Sequence, residues 1–155
     1  MAIRNIVLEG DLILAKKSRQ VEKFDDRLKI LIDDMKETLK KENGVGLAAV
    51  QVGVLKRVII VDIGNELVEL INPEIVKKLG KQEDVEGCLS CPGEYGITKR
   101  PMKVLVKALN KNGEKVEYKG EGLTARAFCH EIDHLDGILF KERTIRMLDP
   151  EELAR

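Results

Sequence analysis
The stretch that decides the reading is Thr124-Ala125-Arg126-Ala127-Phe128-Cys129-His130-Glu131-Ile132-Asp133-His134-Leu135, followed by Asp136-Gly137. Thr124 suits an N-cap and Gly137 a helix stop, so the spacing predicts a helix over Ala125 to Leu135. At about 3.6 residues per turn, positions four apart share a face. His130 and His134 are the two histidines of the chain, and both fall on that face. Two imidazoles so placed reach one metal ion, with Glu131 beside them to move protons to and from a bound water. A chain that sets all its histidines at ligand spacing around a glutamate reads as a metal-dependent hydrolase.

Upstream of this helix the sequence turns strand-like. Lys103 to Leu109 leads through Asn112-Gly113 to Lys115-Val116-Glu117-Tyr118, the pattern of an antiparallel hairpin. Arg57 to Ile63 and Leu67 to Ile71 are two further strands, the second expected to stop at Asn72-Pro73. Before them, Leu28, Leu31, Ile32, Met35 and Leu39 follow three-four spacing. That predicts a helix capped by Asp25 or Asp26, running to about Lys41 and ended by Asn43-Gly44. Between helix and strands, the small-residue run Gly44 to Gly53 suggests backbone packed closely against a neighbour. It lacks the Gly-Lys-Ser/Thr ending of a P-loop, so a nucleotide site is rejected. Strands cluster between two helices and do not alternate with them. The expected fold is therefore α+β, one domain over residues 1–155, with antiparallel sheets packed around the central histidine-bearing helix.

Composition narrows the function classes. The 27 basic and 27 acidic residues cancel, which argues against direct nucleic-acid binding. No segment approaches the roughly 18 apolar residues of a membrane span, and the start lacks the apolar stretch of a secretory signal. Three cysteines, Cys88, Cys91 and Cys129, suit a reducing compartment, and a cytoplasmic location is expected.

The histidine pair needs a third protein ligand, leaving a fourth position for water. Downstream, Asp136, Glu142, Asp149, Glu151 and Glu152 are available. Upstream, Cys88 sits in Glu86-Gly87-Cys88-Leu89-Ser90-Cys91-Pro92-Gly93, and a thiolate is a strong ligand for iron or zinc. Two histidines plus Cys88 is the preferred set. A closed structural zinc site of Cys88, Cys91, His130 and His134 is the rival. Against it stand the long gap between Cys91 and His130 and the lack of a task for Glu131 in a closed shell. Cys91 and Cys129 read as small buried hydrophobes. A general peptidase and a zinc-stabilised binding module remain the alternative functions.

Three motifs together resemble peptide deformylase. They are Gly44-Val45-Gly46-Leu47-Ala48-Ala49-Val50-Gln51, Glu86-Gly87-Cys88-Leu89-Ser90 and His130-Glu131-Ile132-Asp133-His134-Leu135-Asp136-Gly137. Their order and spacing fit the family, and the similarity runs from Ile3 to about Met147. The resemblance implies an α+β fold and removal of the formyl group from the initiator methionine of new polypeptides. It implies that Cys88, His130 and His134 hold one divalent metal ion, that Glu131 is the general acid/base, and that Gln51 and the Leu89 backbone handle the oxyanion. Val45, Gly46 and Ala127 are expected at the substrate pocket. Ferrous iron is the implied native ion, with zinc, nickel or cobalt as substitutes. The implied partners are nascent formyl-methionyl polypeptides and, transiently, the ribosome, although the tail after Met147 is short for docking there. Many relatives carry an apolar residue where this chain has Cys91, which marks that position as a pocket-side variant.

Overall fold
The computed structural model describes residues 2–154. The helix α1, Asp26–Glu42, buries Leu28, Leu31, Ile32, Met35 and Leu39, the stripe that the spacing predicts. Its N-cap is Asp25, whose carboxylate accepts from the Leu28 N–H at 3.0 Å. Asn43, in the left-handed region with φ 53, closes it. The chain continues through β1 (Gly46–Ala48), a single 3-10 turn (Ala49–Val52), β2 (Val58–Asp62) and β3 (Leu67–Leu79). Next come β4 (Gln82–Cys88), β5 (Cys91–Arg100), β6 (Lys103–Leu109), β7 (Lys115–Glu121) and α2 (Leu123–Leu135). A 3-10 turn (Phe140–Arg143), β8 (Thr144–Met147) and the short α3 (Pro150–Leu153) follow.

The strands form two antiparallel sheets, one ordered β1-β2-β3-β6-β7 and one ordered β4-β5-β8. β2 explains the arrangement, because it is apolar at consecutive positions and buried on both faces. Val58 and Ile60 pack with Leu28, Ile32, Met35 and Leu39 of α1. Ile59 and Val61 face the other way and pack with Phe128, Ile132 and Leu135 of α2. The five-stranded sheet thus separates the two helices. On its far side α2 meets the second sheet, where Glu86 of β4 and Arg100 of β5 bond to Arg126, His130 and Asp133. The expected α+β class, with sheets around the histidine-bearing helix, is what the chain adopts.

Two local expectations are corrected. β3 does not stop at Asn72-Pro73 but runs on to Leu79, with register shifts between Ile71 and Glu74 and between Ile75 and Lys77. Asn72 takes a positive φ of 53, and its side chain bonds both N–H and C=O of Val21, so the proline sits in an irregularity that the fold supports. Helix α2 is not capped by Thr124. It starts at Leu123 behind Gly122, whose φ of 59 turns the chain out of β7, and no side chain caps it. The β4–β5 hairpin, which carries Cys88 and Cys91 on either side of its turn, was not read from the sequence.

Candidate active site
The site lies where α2, β1 and the β4–β5 hairpin converge. The helix period sets the His130 and His134 rings 5.0 Å apart, edge to face. The hairpin delivers Cys88 to the same point, with its Sγ 3.3 Å from His134 Nε2. One ligand atom from each of Cys88, His130 and His134 lies within 4.8 Å of the others, so these three can hold an ion. Three of the downstream carboxylates are engaged elsewhere. Asp136 pairs with Arg57 at 3.0 Å, Glu142 accepts from the Leu139 N–H, and Glu152 pairs with Arg146. Cys91 groups instead with Glu9 and Glu94. Both of those carboxylates already face an ammonium, Lys141 Nζ, at 2.6 and 2.8 Å.

Around the three ligand atoms the protein is polar and ordered. Glu86 is buried yet has donors on both oxygens: Thr98, Arg100 and Arg126 on one, Arg100 and His130 on the other. Burial opposes its ionisation, but the bonds from His130 and Arg100 outweigh that and hold its carboxyl far below the usual range. The 2.7 Å contact of His130 Nδ1 with Glu86 fixes the ring and turns Nε2 toward the ligand cluster. Burial also disfavours a charged His130, but Glu131 and Glu86 outweigh it and raise its pKa. At His134, burial and the neighbouring His130 both lower the pKa, so its ring is neutral, as a metal ligand must be. The Cys88 thiol is pushed up by its hydrogen bond with Cys91, by burial and by the charge of Glu131. A divalent cation held by these three residues would reverse that balance and favour the Cys88 thiolate.

Glu131 is 3% exposed, and burial pushes its pKa up to about 7. Among the described residues its Oε1 has no hydrogen-bond partner, and neither has His134 Nδ1. β1 passes directly against it, since a Cβ on Gly46 would lie 2.6 Å from Glu131 Oε2. The Gln51 side chain is pinned at both ends. Its Oε1 accepts from the Ala48 N–H at 3.0 Å, and its Nε2 points at Ser90 Oγ (3.1 Å) and Cys88 Sγ (3.5 Å). Leu89 occupies the β4–β5 turn. A cleft of about 700 Å³ opens over these groups. Val45, Gly46, Gln51, Cys88, Leu89, Ala127, His130 and Glu131 all line it, while His134 is buried beside it. The fold brings these sequence-predicted residues together in space. Sequence reasoning missed Arg100, Arg126 and the bond that His130 donates to Glu86. The available signal was Glu86 itself, an acid two residues before Cys88 in a chain with a histidine pair to orient.

Comparison with known proteins bears on the family and the fold. The sequence model of the family described as polypeptide deformylase matches residues 3–149. A peptide deformylase of Acetivibrio thermocellus is 57% identical over 155 residues, covering 100% of this chain and 91% of that protein. One from Caldicellulosiruptor bescii is 56% identical, covering 100% and 93%. Among solved structures, the peptide deformylase of Thermotoga maritima superimposes with a TM-score of 0.90 at 42% identity, covering 93% of this chain and 99% of that one. That of Legionella pneumophila gives 0.89 at 45%, covering 97% and 89%. With the match spanning nearly the whole sequence and the whole fold, the chain belongs to the polypeptide deformylase family, metal-dependent hydrolases that remove the N-formyl group from nascent peptides.

Proposed function
We propose that Cys88, His130 and His134 hold the catalytic metal ion and that Glu131 is the general acid/base of deformylation. The observation that carries this reading is the convergence of three ligand atoms within 4.8 Å, beside a buried carboxylate with one unpaired oxygen. The donor set fits a divalent ion: one sulfur and two imidazoles, one of them oriented by a carboxylate. When bound, such an ion polarises the formyl carbonyl and lowers the pKa of the attacking water toward 7.

The chain's own residues supply the rest. Glu131 takes the proton of the attacking water and returns it to the departing methionine nitrogen, a task suited to a carboxyl whose pKa burial pushes up to about 7. The Gln51 Nε2–H and the Leu89 backbone N–H donate to the oxygen that gains charge; losing one such donor typically costs roughly 100- to 1000-fold in rate. Glu86 keeps the His130 ring from turning. Val45, Gly46 and Ala127 border the space for the methionyl residue. We take ferrous iron as the native ion and zinc, nickel and cobalt as substitutes, since thiolate with imidazole suits all four.

The whole chain, residues 1–155, acts as one catalytic domain, because both apolar cores share the five-stranded sheet. Among the described residues no helix is long and apolar enough to cross a membrane. The three free cysteines suit a cytoplasmic enzyme working on emerging chains, in transient contact with the ribosome and without direct nucleic-acid binding. The test is formate release from a short formyl-methionyl peptide by nickel-loaded protein. Release that a chelator stops and nickel restores is the expected result. No release from folded, loaded protein would overturn the reading.

A further inference from the structure
The β4–β5 hairpin turns on Leu89 and Ser90 and sets one cysteine on each side of the turn. Cys88 and Cys91 are register partners across the strand pair. Such partners have Cα atoms about 4.5–5.5 Å apart, within the roughly 4.4–6.8 Å that disulfides span. The two side chains are close enough for each to shift the other's ionisation, and both are free. Cys88 lines the open cleft, so a small oxidant reaches it. Cys91 is 2% exposed and sits opposite Cys88 across the turn. The remaining cysteine, Cys129, is buried on α2.

We propose that Cys88 and Cys91 form a dithiol–disulfide modification site, oxidised by hydrogen peroxide and restored by a dithiol reductant, and that closing the disulfide releases the metal ion. The disulfide stands on the pairing of the thiols alone. The release of metal rests on the reading of Cys88 as a ligand. In the first step the peroxide O–O bond breaks, one oxygen is transferred to Cys88 Sγ as a sulfenic acid, and the other leaves as water. In the second step Cys91 Sγ attacks Cys88 Sγ. The S–S bond forms, the S–O bond breaks, and hydroxide leaves with the Cys91 proton as a second water. Two thiols and one peroxide thus give one disulfide and two waters. A dithiol returns two electrons and two protons by exchange. Cys91 in this way diverts Cys88 from the sulfinic and sulfonic acids, which such reductants do not reverse.

The test treats full-length, zinc-loaded protein with a small excess of hydrogen peroxide, then alkylates, digests and weighs the peptides. The expected result is a Cys88–Cys91 cross-link lighter by two hydrogens, Cys129 alkylated, and both thiols recovered with dithiothreitol. A chromogenic chelator should register about one zinc ion freed per disulfide, read without any activity assay. Cys91→Ser and Cys91→Ala should instead carry Cys88 on to sulfinic and sulfonic acid that dithiothreitol does not recover. If wild-type Cys88 reaches those acids as fast as the variants, or links to Cys129, the modification site is overturned. A Cys88–Cys91 disulfide that forms with zinc still bound overturns the release of metal, and with it the place of Cys88 among the ligands.

Discussion
Glu131 and Gly46 have to be understood together. The carboxylate is buried against β1, and the space it occupies exists because residue 46 has no side chain. Glu131→Gln keeps the shape and removes the proposed proton acceptor. Metal content, measured by elemental analysis, should hold, while formate release falls by about 100- to 10,000-fold. Gly46→Ala brings a methyl to within 2.6 Å of Glu131 Oε2 and 2.8 Å of its Cγ, so the side chain must swing away. None of the contacting atoms is a ligand atom, so this variant too should bind metal normally while kcat drops on the order of 100-fold. Loss of metal from Gly46→Ala would mean that β1 supports the ligands and not Glu131. At this scale the sequence is informative wherever function is local: four residues apart on a helix is a metal spacing whatever surrounds it. The bond from His130 to Glu86, by contrast, spans 44 positions and leaves no period in the chain.

At the scale of elements, the β4–β5 hairpin is clamped to α2 through Glu86. This carboxylate is ringed by Arg100, Arg126, Thr98 and His130, with side-chain exposures of 4–5% for the two arginines and Glu86. Glu86→Gln leaves two buried guanidinium groups short of their counter-charge. The expected loss is on the order of 3–5 kcal/mol in denaturant unfolding at pH 7, tempered by Asp133, which still pairs with Arg100 at 2.7 Å. The pH dependence has a definite sign. The folded-state pKa of Glu86 lies below the ordinary glutamate value of 4.5, so below that value the unfolded chain binds more protons. The contribution is complete above pH 4.5 and is lost as pH falls through the acid range; Glu86→Gln should flatten that acid limb. An unchanged limb would assign the acid lability to other carboxylates. This hairpin is also what the sequence concealed. Gln82-Glu83-Asp84-Val85-Glu86-Gly87 shows no apolar alternation, and three of the seven residues of β4 and half of those of β5 are exposed. Their pairing is dictated by the turn and by buried ion pairs, neither of which has a hydrophobic period. β3 misleads for the opposite reason: Asn72-Pro73 is a stop signal that the side-chain bonds of Asn72 to Val21 override.

For the whole molecule, the readable part was the class. Strand-like runs grouped between two amphipathic helices admit an α+β layering, and the apolar continuity of Val58-Ile59-Ile60-Val61 calls for a sheet covered on both faces. What the fold adds is a site that no single element contains. Cys88 and His134 are 46 positions apart, one in the three-stranded sheet and one on α2, and only the folded chain brings them together. An ion that binds this arrangement and not the unfolded chain must stabilise the whole fold by mass action. With free nickel at about 1,000 times its dissociation constant, the gain is about 4 kcal/mol. For a chain of this length that raises Tm by roughly 8–16 °C. Thermal scans of metal-free and nickel-loaded protein should show this shift. It should persist in Glu131→Gln, which keeps all three proposed ligands, and largely vanish in Cys88→Ala. Coincident melting of the loaded and metal-free forms would mean that the three donor atoms do not bind the ion as a set. A full shift in Cys88→Ala would mean that the histidine pair finds its third ligand elsewhere.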